Sequence, residues 1–201
     1  MKTRSHHFFF TLSLAASTVL GGFACDVDDG DDGMFDAEDA MDVEDSEGDD
    51  NDDQFRIWMG WTSEEYQPLV CGAGRFIRGF ECYGGYCDQI SVDCHQSGAQ
   101  YGESHWTSYF SEEGSGTANE RHCPWGEFVT GVACSGSYCD QLSLRCTEAV
   151  GSGFGSCQWS GWYSEEHGPF QTPEGRYIKG VECSGSYCDN KRYRHCVMTG
   201  I

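Results

Sequence analysis

The sequence predicts an all-β body, a pseudo-threefold repeat of disulfide-stapled antiparallel sheets on a disordered acidic N-terminal tether. Three observations predict it. A cysteine-rich block recurs, with Cys82, Cys134 and Cys183 lying 52 and 49 residues apart. Within each block apolar residues alternate at period two, and no apolar period of a helix appears. Residues 26–53 hold sixteen Asp and Glu and no Lys or Arg, a composition that cannot bury enough surface to offset its ordering entropy.

The chain opens MKTRSHHFFFTLSLAASTVLGGFAC, with Lys2 and Arg4 ahead of an apolar run and small residues after it. This three-part pattern marks residues 1–24 as an export signal. Gly22-Phe23-Ala24-Cys25 resembles the lipobox of bacterial lipoproteins. The resemblance implies a lipidated Cys25 and a membrane-anchored place in the bacterial cell envelope. An ordinary signal peptide and a secreted product are the alternative. Parity favours lipidation: of the thirteen cysteines, setting Cys25 aside leaves twelve that can all pair. Two acyl chains suffice for stable attachment, and no apolar run reaches the roughly 18 to 20 residues of a membrane-spanning helix.

Residues 25–53 read as the tether, extended by like-charge repulsion. The net charge is −21. Setting aside the sixteen tether carboxylates and the two bases of the signal leaves −7 on the body, residues 54–201. So acidic a chain is a poor match for nucleic acid.

The body divides into repeats of about 55–97, 103–149 and 156–199. Each opens on a tryptophan segment, from Trp58, Trp106 and Trp159, that runs into Ser63-Glu64-Glu65, Ser111-Glu112-Glu113 or Ser164-Glu165-Glu166. The tryptophans read as core fillers and the Ser-Glu-Glu runs as solvated turns. The second block reads as a hairpin. In copy 2, Phe128, Thr130, Val132 and Cys134 share one face, then Tyr138, Asp140, Leu142, Leu144 and Cys146 share one after a Gly-rich turn. Copy 1 repeats the second face with Tyr86, Asp88, Ile90, Val92 and Cys94. The last strand of copy 3 reaches its cysteine one residue later, which predicts a bulge. Its Lys191, Arg192 and Arg194 predict a charged edge strand.

Four cysteines fall in each copy. Cys82–Cys87, Cys134–Cys139 and Cys183–Cys188 flank the hairpin turns and are expected to pair across them. First-to-fourth pairing then gives Cys71–Cys94, Cys123–Cys146 and Cys157–Cys196. Each set of four allows three connectivities, and pairs between copies stay open. The Cys-x4-Cys spacing lacks the CxxC knuckle of zinc sites. No cofactor is expected; calcium is the one metal the acidic residues suggest.

No nucleophile elbow, HExxH, P-loop or GxGxxG is present, and the chain reads as a non-enzyme. The repeated polar and aromatic residues are the better candidates: Tyr86, Asp88 and Gln89; Tyr138, Asp140 and Gln141; Tyr187, Asp189 and Asn190. Carboxylates and amides suit sugar hydroxyls, and an aromatic face suits the apolar side of a sugar ring. The expected function is a carbohydrate-binding surface module with up to three equivalent sites for a glycan or cell-surface polymer. The alternative is a protein-interaction or protease-inhibitor-like module. The layout is similar to three-repeat β-prism and β-trefoil binding proteins, which implies a β-prism-like fold with a β-trefoil-like one second.

Overall fold

The structure is a computed structural model that describes residues 56–113 and 116–200. The export signal, Cys25 and the acidic tether lie outside the described residues.

Among the described residues, twelve strands form three four-stranded antiparallel sheets. Copy 1 supplies β1 (Arg56–Trp58), β2 (Leu69–Val70), β3 (Arg75–Tyr83) and β4 (Gln89–Gln96). Copy 2 supplies β5 (Gln100–Trp106), β6 (Glu120–His122), β7 (Glu127–Ser135) and β8 (Gln141–Val150). Copy 3 supplies β9 (Gly153–Trp159), β10 (Phe170–Gln171), β11 (Arg176–Ser184) and β12 (Asn190–Thr199). The expected hairpins are β3–β4, β7–β8 and β11–β12, and each tryptophan strand pairs with the second hairpin strand of its own copy.

The fourth strand of every sheet comes from a different copy. Leu69–Val70 pairs with β7, Glu120–His122 with β11, and Phe170–Gln171 with β3. Each copy hands a strand to the next, and the third hands one back to the first, so the ring closes. The three sheets are the faces of a prism, the first of the two expected layouts. One glycine per copy permits the exchange. The register shifts just before Gly79, Gly131 and Gly180. A Cβ on Gly131 would come within 2.7 Å of the Leu69 carbonyl oxygen, and one on Gly79 within 2.8 Å of that of Phe170. A side chain there would push the donated strand away.

The core lies on the pseudo-threefold axis. Ile77, Val129 and Ile178 are fully buried there, together with the cross-strand pairs Phe80–Val92, Val132–Leu144 and Val181–Tyr193. A second buried group holds Phe76, Phe128 and Tyr177 edge to face, with centroids 5.9 to 6.2 Å apart. The six disulfides among the described residues match the expected pairs: Cys71–Cys94, Cys82–Cys87, Cys123–Cys146, Cys134–Cys139, Cys157–Cys196 and Cys183–Cys188.

Several expectations are corrected. Tyr86, Tyr138 and Tyr187 lie in a short 3-10 turn, with Asp88, Asp140 and Asp189 capping it, so none of these residues belongs to the strand face. Cys82 stands opposite Ile90 rather than Cys87, and its disulfide ties a strand to the turn. Copy 3 contains no insertion. Ile178 pairs with His195 as Ile77 pairs with Cys94, so the third copy moved its cysteine by one place and kept the strand register. Nor is β12 an edge, because it pairs with both β11 and β9. Lys191 is fully buried at the position of Ile90 and Leu142. Arg192 pairs with Glu182 at 2.6 Å and lies over the rings of Trp159 and Trp162. The tryptophans are not core fillers: Trp61 and Trp162 are 41% and 39% exposed.

Candidate functional site on the pseudo-threefold axis

The site begins with a backbone anomaly. Tyr86-Cys87, Tyr138-Cys139 and Tyr187-Cys188 all have φ between 55° and 60°, and they are the six non-glycine residues of positive φ among the described ones. The left-handed conformation costs an L-residue about 1–2 kcal/mol. Two in succession need an external constraint. The disulfide from Cys87, Cys139 or Cys188 back to the preceding strand supplies it, together with the amide of the following Asp, which donates to the first residue of the turn at 3.2–3.3 Å. Strained turns over-determined by their surroundings concentrate at functional sites.

This conformation throws each tyrosine ring onto the axis. The centroids of Tyr86, Tyr138 and Tyr187 stand 5.5, 5.2 and 5.3 Å apart, with planes inclined at about 60°. The rings are 44%, 46% and 40% exposed. A triangle of this size puts its centre only about 3 Å from each centroid, too close to admit a ligand atom between the rings. The triad is therefore a closed edge-to-face propeller whose outer surface is the available face. Three tyrosines expected in three separate sites meet in one.

The Ser-Glu-Glu turns, read from sequence as solvated, lock the copies together under the triad. Glu165 Oε1 accepts from the Tyr86 amide of the first copy at 3.3 Å, and Glu112 Oε1 accepts from the Tyr187 amide of the third at 2.7 Å. The exchange runs in the same direction as the strand exchange.

The acidic turns sit close to one another. Burial, then the charges of Glu64 and Glu65, raise the Asp88 carboxyl. Burial, then Glu112 and Glu113, raise that of Asp140. Asp189 is pushed up to about 6, by burial first and then by its hydrogen bond to Glu165 and the charge there. Burial works to raise Glu165 too, but hydrogen bonds from Asp189, its own backbone and the Tyr86 amide carry it below the usual carboxylate range. Of the two carboxyls, Asp189 is therefore the one that takes up a proton first as pH falls.

Lys191 lies behind the third turn. Its Nζ donates to the Cys188 carbonyl at 2.6 Å. Burial lowers it to about 7 against the opposing pull of Asp189, Glu165 and Glu112.

The amides contribute less to the axis. Gln89, Gln141 and Asn190 take the first position of β4, β8 and β12, opposite Tyr83, Ser135 and Ser184. Asn190 Nδ2 donates to Asp189 Oδ2 at 3.4 Å. Cys87 Sγ falls within 4.8 Å of carboxylate oxygens of Glu165 and Asp189, but it is a disulfide sulfur and offers a cation no thiolate. The reach of Glu112 and Glu165 into neighbouring copies and the burial of Lys191 escaped the sequence reading. The repeated Ser-Glu-Glu was a visible signal for the first; the alignment of Lys191 with Ile90 and Leu142 was one for the second.

Comparison of the chain with protein families, curated proteins and solved structures gives no match.

Proposed function

We propose that the protein is a non-catalytic, exported binding module whose ligand is a carbohydrate held on the Tyr86–Tyr138–Tyr187 surface. The observation that carries this reading is the triad itself. Three half-exposed rings are held by strained, disulfide-clamped turns at one point. An aromatic surface covers the apolar face of a sugar ring, while the Asp88, Asp140 and Asp189 carboxylates around it accept from hydroxyls. The site is one composite surface shared by the three copies rather than three equivalent sites. Six disulfides suit an oxidising, exported setting; attachment to a bacterial envelope through lipidated Cys25 belongs to the same proposal.

The test is a glycan and cell-wall polysaccharide panel probed with the oxidised full chain and with Tyr86→Ala, Tyr138→Ala and Tyr187→Ala, each confirmed folded. A composite site predicts that each single variant abolishes most binding. Three independent sites would instead leave about two-thirds of the capacity in every variant. A parent chain that binds no glycan overturns the reading and favours a protein partner.

A further inference from the structure

We propose that the outer face of copy 1, at Glu81, Trp61 and Tyr83, docks an arginine side chain of a partner protein. The surface uses none of the axial residues, and the inference does not rest on the carbohydrate reading.

The three copies supply an internal comparison. In copy 3, Arg192 Nε donates to Glu182 Oε2 at 2.6 Å, and its guanidinium lies 4.9 and 4.8 Å from the ring centroids of Trp159 and Trp162. Strand register sets these residues together. Glu182 stands opposite Arg192, Trp159 opposite Arg194, and Trp162 just ahead of the Tyr163–Lys191 bridge. Copy 1 repeats the register: Glu81 stands opposite Ser91, Trp58 opposite Asp93, and Trp61 just ahead of the Thr62–Ile90 bridge. It keeps the carboxylate and the tryptophans and has serine in place of the arginine. Ser91 Oγ donates to the Met59 carbonyl at 2.8 Å and brings Glu81 no charge. No ion pair or side-chain hydrogen bond reaches Glu81 among the described residues.

Copy 2 shows that the hairpin needs neither charge, because Ala133 stands opposite Ser143 in the same register. The ion pair is thus complete in copy 3, absent in copy 2 and half present in copy 1. A guanidinium from outside completes the half. Trp61 is exposed, and the exposed Tyr83 lies against it with centroids 5.7 Å apart. Ser184 takes the place of Tyr83 in copy 3, so copy 1 presents the wider aromatic wall. Arginine suits it better than lysine, because a planar guanidinium stacks on a ring while its N–H groups reach a carboxylate. The arginine comes from another protein: Arg78, Arg121, Arg145, Arg176 and Arg192 are each bonded within their own chain. The net negative charge of the body favours a basic partner.

The probe is the peptide acetyl-Gly-Arg-Gly-amide, titrated into the oxidised full chain while NMR follows the indole N–H of Trp61, assigned through Trp61→Phe. Two control peptides carry lysine or citrulline in place of arginine. The arginine peptide should shift the Trp61 indole saturably, the lysine peptide should bind at least about fivefold more weakly, and the citrulline peptide, planar but uncharged, should not bind. Glu81→Ala, the residue type of copy 2, should weaken arginine-peptide binding at least about fivefold. Arg192→Ser, the residue type of copies 1 and 2, should open a second site, read at the Trp162 indole. An unmoved Trp61 indole, equal binding by the citrulline peptide or by folded Glu81→Ala, or a silent Trp162 indole in folded Arg192→Ser overturns the proposal and leaves the axial carbohydrate reading standing. A parent chain that is dimeric without peptide, and monomeric as Glu81→Ala, makes a second copy the occupant and overturns it too. If neither variant folds, the citrulline comparison on the parent chain decides alone.

Discussion

Thr172 and His195 occupy, in the third copy, the two places that a disulfide fills in the first and second. The Thr172 amide donates to the Arg78 carbonyl as the Cys71 amide donates to that of Thr130 and the Cys123 amide to that of Lys179, each at 2.8 Å. His195 faces Ile178 as Cys94 faces Ile77 and Cys146 faces Val129. The two are 23 residues apart, the separation of Cys71–Cys94 and Cys123–Cys146. Thr172 Oγ1 instead donates to the Arg176 carbonyl at 2.6 Å, while His195 Nδ1 is buried and unpaired.

Replacing both, as Thr172→Cys with His195→Cys, should therefore create a seventh disulfide without backbone movement. The expected gain is about 2–4 kcal/mol. Intact mass before and after reduction reports the bond, and thermal unfolding reports the gain. A double variant that keeps two free thiols after oxidation contradicts the register.

Lys191→Leu should stabilise the fold at pH 7 by about 1–4 kcal/mol, because a buried charge gives way to the apolar type its counterparts use. The pH dependence follows from its lowered value. Below about 7 the ammonium is charged in both states and its burial cost is fully present. From about 7 toward 10.5 the folded state gives up its proton first, so parent stability rises with pH. The variant should flatten that rise without removing it, since Lys179, lowered to about 8 by burial, adds a slope of the same sign. Urea unfolding at several pH values separates the two.

Asp189→Asn should act on the acid side. Its folded value of about 6 lies above the ordinary 3.8, so the folded state binds the extra proton in that window. The parent should lose stability as pH rises from about 4 to about 6, and the variant should lose less, since the raised Asp88 and Asp140 carboxyls keep a slope of the same sign. Thermal midpoints across that range measure it, and a parent whose stability climbs there contradicts the raised Asp189 carboxyl.

Gly131→Ala should destabilise by about 1–3 kcal/mol, the usual cost of forced overpacking, because the new Cβ meets the Leu69 carbonyl oxygen. Gly60→Ala is the control: nothing lies within 4 Å of its added Cβ, and its effect should stay within about 0.5 kcal/mol. Amide exchange should localise the loss to the donated strand.

Tyr138→Gly should change stability little while removing ligand binding. Glycine adopts positive φ freely and recovers about 1 kcal/mol. That offsets the roughly 0.5–1.5 kcal/mol of lost aromatic contacts. A collapse in stability would assign the triad to structure rather than recognition.

Local pattern carried much of this protein. The period-two alternation of Leu142, Leu144 and Cys146 held, because a regular strand's two faces are set by its own residues. That of Phe128 to Cys134 broke at the register shift between Val129 and Gly131, which puts Phe128 on the face opposite Val132 and Cys134. The positions of Cys134 and Cys139 on either side of the turn made their disulfide the expected one of three connectivities, and the structure forms it. The alternation failed at Tyr138 and Asp140, where the chain leaves the strand for a left-handed turn. Periodicity holds no record of a φ that a crosslink enforces.

The sequence by itself determined an all-β fold, three copies and the residue types at each turn, since each depends on spacing and alternation along one stretch of chain; it favoured one disulfide connectivity among several, and the structure selected it. The tertiary structure alone decided that each copy surrenders a strand to the next, that Glu112 and Glu165 reach into the neighbouring copy's turn, that Lys191 is buried, and that three distant tyrosines form one surface. Those outcomes depend on how the three copies close around a shared axis. Tyr86, Tyr138 and Tyr187 are about fifty residues apart in sequence and 5 to 6 Å apart in space, a proximity created by ring closure and by no local preference.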